Sequence, residues 1–223
     1  MEIKQVILQT NKMNETKRFY TDTLGFSLIK EEEEMFCVAI GSSEMVFAKT
    51  DEKVSPYYHF AFNIQSNKFD EAKSWVKERV NLNKEDGKDE ADFSFLQAHS
   101  LYFYDPSGNI VEFISRHAIS EAGDKLFSSK SVLNIGEISL TVPDVQYVGQ
   151  QLIDIGINER NNRPLSTTSL NFMGDKATGA FILLVQPGRR WIFSDKISAV
   201  FPVEIILASG ERITLNEQGF NIN

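Results

Sequence analysis

The sequence predicts an α+β fold built from repeated units, and three observations carry that prediction. A strand–break–helix pattern occurs three times, one hairpin is unusually well specified, and no apolar run approaches the roughly 20 residues that a bilayer span needs. The three segments are KQVILQTNKMNETKRFYTDTLGF, YHFAFNIQSNKFDEAKSWVKERV and GEISLTVPDVQYVGQQLIDIGIN. In each, alternation with a period of two gives way to a polar break and then to helical spacing. Val6 and Leu8, Phe60 and Phe62, and Ile138 and Leu140 form equivalent apolar strand faces that predict packing under the helices. The opposite faces read Gln5, Ile7, Gln9, then His59, Ala61, Asn63, then Glu137, Ser139, Thr141. A partly polar face in all three copies suits a cavity wall better than a sealed core.

Taken in order, the first unit predicts a strand, a helix from Asn14 to Asp22, strands near 26–31 and 35–40, and a last strand near 44–49, ending at about residue 52. The second unit, from about 57 to 117, has the better specified helix. Ser66 is placed to cap it, Phe69, Ala72 and Val76 share a face, and acidic residues precede basic ones. The charged stretch NLNKEDGKDEAD reads as a solvated loop. HSLYFYDPSGNIVEF then predicts two strands about a turn, because Pro106 presets φ and Gly108 tolerates positive φ. AISEAGDKLFSSKS, residues 118–131, reads as a linker. The third unit predicts strands at 170–173, 180–186 and 190–194, followed by the hairpin-like pair PVEIILASGERITL.

Glu112 is the residue that demands a chemical explanation. It sits among Ile110, Val111, Phe113 and Ile114, and a carboxylate buried there without a partner would cost several kcal/mol. It therefore needs a cation, a hydrogen-bond donor or a proton.

Tyr102, Phe103, Asp105, Pro106, Gly108, Asn109 and Glu112 match the pattern YF.DP.GN..E. With the repeat, that hairpin resembles the vicinal oxygen chelate superfamily, which includes glyoxalase I, fosfomycin-resistance thiol transferases, extradiol dioxygenases and bleomycin-binding proteins. The resemblance implies paired βαβββ modules forming one cupped, eight-stranded mixed sheet. On that basis residues 1–117 are expected to form a glyoxalase-like domain of two modules and 132–223 a third, unpaired βαβββ-like module. Such a module has an open edge, so it is expected either to dock on the first domain or, preferably, to pair with a second chain in a homodimer.

The resemblance also implies a metal centre. The first-strand positions occupied by Gln5 and His59, together with Glu112, would bind a divalent ion (Zn, Ni, Mn or Fe) through one amide oxygen, one imidazole and one carboxylate. Such an ion acts as a Lewis acid and would stabilise an enediolate or alkoxide of a substrate with vicinal oxygens. Glyoxalase I can use glutamine at the first position, whereas the dioxygenases and fosfomycin-resistance enzymes use histidine. For the fourth ligand, alignment of EMVFAKT on the Glu112 strand gives Val46, with Glu44 two residues earlier on the same face. Either the register slips and Glu44 serves as ligand or base, or the centre has three protein ligands. Gln9, Asn63, His99, Ser100 and Tyr102 are the candidate substrate contacts, Tyr102 because it stands where the fosfomycin-resistance proteins carry a substrate-contacting tyrosine. The metal-free alternative is a neutral His59 hydrogen-bonded to Glu112. For Glu137 a solvated or arginine-paired carboxylate is expected, and for His117 a solvent-facing ring.

The functional reading is a glyoxalase-like, metal-dependent lyase or isomerase acting on a small oxygenated metabolite. The alternative is a non-catalytic protein that sequesters an antibiotic-type small molecule, with an extradiol-type dioxygenase as a weaker third reading. A net charge of −8 argues against nucleic acid or an anionic membrane as partner. One cysteine, Cys37 in the apolar run MFCVAI, excludes an intrachain disulfide and fits a reducing cytosol, where it reads as a buried small hydrophobe.

Overall fold

Module one opens with β1 (Ile3–Thr10), then α1 (Met13–Arg18) running into a π-helical turn over Phe19–Thr23, then β2 (Leu28–Glu32), β3 (Met35–Ile40) and β4 (Ser43–Lys49). Module two comprises β5 (His59–Ile64), α2 (Phe69–Lys77), β6 (Ala91–Phe93), β7 (Ala98–Tyr104) and β8 (Ile110–Arg116). The third unit has β9 (Val132–Thr141), α3 (Val145–Asp154), β10 (Asn171–Asp175) and β11 (Ala180–Val185). The chain closes with β12 (Val203–Leu207), β13 (Arg212–Asn216) and β14 (Gly219–Ile222). These elements come from a computed structural model that describes residues 1–51, 53 and 56–223, so the expected end of module one near residue 52 lies outside the described residues. The α+β class and the βαβββ-like modules are as the sequence predicts.

The pairing of modules differs from the expectation. Modules one and two do not share a sheet. One seven-stranded sheet runs β14, β13, β12, β1, β4, β3, β2, and the other runs β10, β11, β9, β5, β8, β7, β6. Module two is thus joined to module three through β5 and β9, antiparallel with Phe60 opposite Ile138. The free edge of β1 is taken by β12, antiparallel with Val6 opposite Ile205. PVEIILASGERITL therefore completes module one from within the same chain. Of the two arrangements set out for the third module, its sheet edge is covered intramolecularly, by β5.

The alternation read from the sequence explains how the sheets pack. Val6, Leu8, Met45, Phe47, Val203 and Ile205 of the first sheet share one buried cluster with Phe60, Phe62, Ile138 and Leu140 of the second. Each Å² of apolar surface buried in this contact stabilises the fold by about 25 cal/mol. α2 contributes Phe69, Ala72 and Val76 to it, but its N-terminus is Lys68 without a side-chain cap, so the expected Ser66 cap is not formed. The Ser66 carbonyl instead accepts from Ser115 Oγ and the His117 ring.

A second difference concerns residues 190–194. They form no strand there: the stretch between β11 and β12 crosses the mouth of the second sheet, and Trp191 and Phe193 turn inward against Tyr102, Ile110 and Leu183. Glu85 holds this crossing by accepting from the Phe193 N–H at 2.6 Å and pairing with Arg190.

No helix among the described residues is long and apolar enough to cross a membrane. Cys37 is buried, and burial, aided by the charge of Glu44, pushes its thiol up to about 11. Since the thiolate is the reactive species, roughly one molecule in a thousand would carry it at pH 8. Native protein is expected to resist a thiol reagent that labels the unfolded chain within minutes; rapid labelling of the native state would contradict this burial.

Candidate metal centre

The hairpin that carries Glu112 is anchored by its own turn. Gly108 adopts φ 85°, and its N–H donates to the Asp105 carbonyl at 2.9 Å, closing the turn that Pro106 begins. The buried Asp105 carboxylate accepts from Asn109 N–H and Nδ2 and from the Tyr20 hydroxyl, at 2.9, 2.7 and 2.9 Å. Burial pushes this carboxyl up, and those donors pull it back. Asn109 Oδ1 in turn accepts the Tyr58 N–H at 2.8 Å, which ties the turn to the start of β5 and sets the register. In that parallel register Ala61 lies opposite Glu112, so His59 and Glu112 share a face two residues apart. β9 then brings Glu137 opposite Ala61 from the other side.

The three side chains converge. One ligand-type atom from each of His59, Glu112 and Glu137 lies within 4.8 Å of the others, and the residues are 5, 3 and 5% exposed. His59 Nδ1 sits 3.0 Å from the Ile110 carbonyl, which can only accept, so the proton is on Nδ1. Nε2 then points its lone pair toward Glu112 Oε2, 3.4 Å away. A lone pair facing a carboxylate, with a second carboxylate nearby, requires a cation between them: a proton or a metal ion. Burial disfavours the imidazolium, but Glu112, Glu137 and the Ile110 carbonyl outweigh it and raise the His59 pKa. An Nδ1–H held by a backbone carbonyl is also the orientation common to metal-ligating histidines.

The surroundings balance the charge. Arg116 pairs with Glu137 and donates from Nε to Asn63 Oδ1 at 3.1 Å. Burial pushes the Glu137 carboxyl up; Arg116 and His59 oppose this and Glu112 adds to it, and the balance is upward. Glu137 is thus arginine-paired, as one of its two expected readings had it, but it is buried rather than solvated. Tyr102 lies directly opposite Glu112 across β7 and β8. Its phenol is held well above the usual range by burial and then by the charges of Glu112 and Glu137, so it stays a neutral donor. Ser100 Oγ, fully buried near that hydroxyl, makes no well-formed hydrogen bond among the described residues.

The donor set fits a divalent ion. It offers one imidazole nitrogen and two carboxylate oxygens and leaves coordination positions for water or substrate oxygens. His59, Glu112 and Glu137 would hold the ion, which would supply Lewis acidity. The β11 position equivalent to Glu112 is Leu183, opposite Ser139, so that position supplies no ligand.

Several expected site residues lie elsewhere. Gln5 is on the other sheet, where its Nε2 donates to Glu44 Oε2 at 2.6 Å and Glu44 is its strand partner. Neither Gln5 nor Glu44 belongs to the cluster around His59, and Val46 shares their sheet. The reason is topological: β1 is paired with β12 on one side and β4 on the other, so it does not share a sheet with β5. Gln9 borders a surface cleft on that first sheet. His99 lies on the helix side of β7, its ring 5.4 Å from that of Phe69 and its Nδ1 2.8 Å from His117 Nε2. Asn63, Ser100 and Tyr102 do lie on the face that carries the centre. Arg116 carries no signal in the sequence pattern, whereas Glu137 does, because the repeat aligns it with His59. Trp191 and Phe193, for which a strand is expected, instead cover the centre: the Trp191 and His59 ring centroids lie 4.9 Å apart, and Phe193 stacks on Tyr102 at 4.8 Å between centroids.

Comparison with known proteins places these features in a family. The model of the Glyoxalase/Bleomycin resistance protein/Dioxygenase superfamily matches residues 2–113, half of the chain, and that of the Toxoflavin-degrading enzyme matches residues 135–189. Similar solved structures include an integron cassette protein from the mobile metagenome of Halifax Harbour sewage outfall, at 21% identity and TM-score 0.45 over 51% of this chain and 97% of that one. Lactoylglutathione lyase from Agrobacterium tumefaciens is 17% identical, with TM-score 0.43 over 50% of this chain and 91% of that one. The fosfomycin resistance protein FosX from Listeria monocytogenes, complexed with Mn(II) and 1S,2S-dihydroxypropylphosphonic acid, is 23% identical, with TM-score 0.38 over 48% and 84%. No curated protein matches. With half of its length matched, the chain belongs to the glyoxalase/bleomycin resistance protein/dioxygenase superfamily.

Proposed function

We propose that the chain is a divalent-metal-dependent enzyme of lyase or isomerase type that acts on a small oxygenated metabolite at the His59, Glu112, Glu137 centre. One observation carries the reading. With Nδ1–H committed to the Ile110 carbonyl, His59 aims Nε2 at Glu112 with Glu137 beside it, an arrangement that a bound cation satisfies. The bound ion would polarise vicinal substrate oxygens. Glu112 or Glu137 is the candidate proton acceptor, because Leu183 offers none. Tyr102, kept protonated, is the candidate donor to a developing oxyanion, and Ser100 Oγ, which makes no well-formed hydrogen bond among the described residues, is a second polar group for the ligand.

The second reading, a non-catalytic protein that sequesters a small molecule, draws on Leu183 and on the inward Trp191 and Phe193, which give the cup an aromatic lining at the expense of a fourth ligand. Elemental analysis of protein purified without added metal or chelator tests the first reading. About one manganese, zinc, nickel or iron per chain is expected. Protein that carries none, and takes up none on dialysis against these ions, would leave the second reading.

A further inference from the structure

Trp191 and Phe193 cover the centre on the His59 and Tyr102 side, and a separate cavity lies on the Arg116 side. That cavity has a volume of about 350 Å³ and is lined by Arg116, Arg160 and Lys176 with Leu96, Ile119 and Phe181. No acidic residue among the described residues lines it, in a chain whose net charge is −8. Arg116 is paired with Glu137, but Arg160 and Lys176 have no ion pair among the described residues, so the wall retains positive charge that would attract an anion.

The arginines are built into place. Arg116 is 6% exposed, and only Nε and Nη2 of its guanidinium have protein acceptors among the described residues, Asn63 and Glu137. Gly179, at φ 62°, makes room for it, since a Cβ there would come within 2.9 Å of Arg116 Cδ. Arg160 is half-buried, with its guanidinium 3.8 Å from the centroid of the Phe172 ring and no ion pair among the described residues. A planar guanidinium stacked on an aromatic face keeps its in-plane donors free for an oxyanion. Lys176 is exposed at the rim. Arg116 joins the cavity to the metal centre, because the guanidinium that lines one also pairs with Glu137 in the other.

We propose that this cavity seats an oxyanion group, a carboxylate or a phosphate-type group, of the molecule whose other oxygens meet the His59, Glu112, Glu137 centre. The anion site stands on its own residues; its link to catalysis rests on the metal reading above. The substrate is then a small anionic molecule whose charged end lies on the Arg160 side and whose reacting end lies toward His59.

The test is calorimetric titration of inorganic phosphate and, separately, malonate into wild type, the double variant Arg160→Gln with Lys176→Gln, Glu44→Gln and Glu112→Gln. At low ionic strength at least one probe is expected to bind wild type, and the tighter of the two identifies the class of anion. In the double variant binding should weaken about tenfold or more, the loss expected for one charge-assisted hydrogen bond. Added salt should weaken wild-type binding as well. Glu44→Gln, on the other sheet and outside both sites, should bind the probe as wild type does. Lys176→Glu, a change at an exposed position, guards against misfolding of the double variant and should weaken binding in the same direction. The proposal is overturned if neither probe binds wild type, if the Arg160 and Lys176 variants bind unchanged, or if Glu112→Gln abolishes binding, which would put the anion on the metal centre. A wild-type protein that takes up no metal yet binds phosphate through Arg160 would defeat the metal reading and leave the anion site standing.

Discussion

Glu112→Gln is expected to abolish metal uptake while leaving a folded protein. The substitution keeps the side chain's shape and removes one of the two buried carboxylates that cluster with His59. Removing a partner from a buried pair normally costs 3–5 kcal/mol because a charge is left stranded. Here the stranded group is an imidazole that can shed its proton, and the remaining carboxylate keeps Arg116. The fold therefore tolerates the change, whereas the ion loses one of three ligands. The affinity loss should exceed the roughly 100-fold limit seen when only an outer partner of a ligand is removed. The ion and the proton compete for His59 Nε2, and the raised His59 pKa favours the proton. Metal affinity should accordingly increase as pH rises through that pKa. Elemental analysis with a thermal melt checks both halves. Glu44→Gln, on the other sheet, is the control and should keep its metal. Unchanged metal content in Glu112→Gln would remove Glu112 from the centre.

Deleting residues 203–223 should have a still larger effect, on folding itself. β12 pairs with β1 in the interior of the first sheet, and Val203, Ile205, Leu207, Ile213 and Leu215 are buried in the shared core. At about 1.5–3 kcal/mol for each fully buried aliphatic side chain, their loss amounts to roughly 8–15 kcal/mol. That is the whole stability of an ordinary domain. The deletion also leaves the β1 edge unpaired beside exposed apolar surface, a template for aggregation. Insoluble or unfolded protein is expected, by solubility and circular dichroism. A truncated chain that melts cooperatively near the full-length temperature would show that β12–β14 are dispensable and that β1 can find another partner.

Much of the fold is local and was readable as such. The period-two alternation of β1, β5 and β9 and the helical spacing of Phe69, Ala72 and Val76 are properties of neighbouring residues. The Asp105–Asn109 turn belongs with them, because Pro106 and Gly108 restrict the backbone wherever the chain goes. The expectation that Glu112 needs a buried partner also came from its apolar neighbours, and His59 is there. Which modules share a sheet is a different kind of fact. Three equivalent first strands offer similar edges, and nothing within any one of them selects its mate. The selection is made by the whole chain: β12 claims the edge of β1, and β9 meets β5. That choice sets Gln5 and Glu44 apart from His59 and puts Glu137 in their place. It also sends residues 190–194, which alternation alone reads as a strand, across the second sheet, where Trp191 and Phe193 are buried. The modules, the hairpin and the chemical need of Glu112 are therefore written in local residue patterns. Its companions are not, because hydrogen-bonding edges and apolar faces far apart in the chain compete for the same partners, and the competition is settled by burial over the whole molecule.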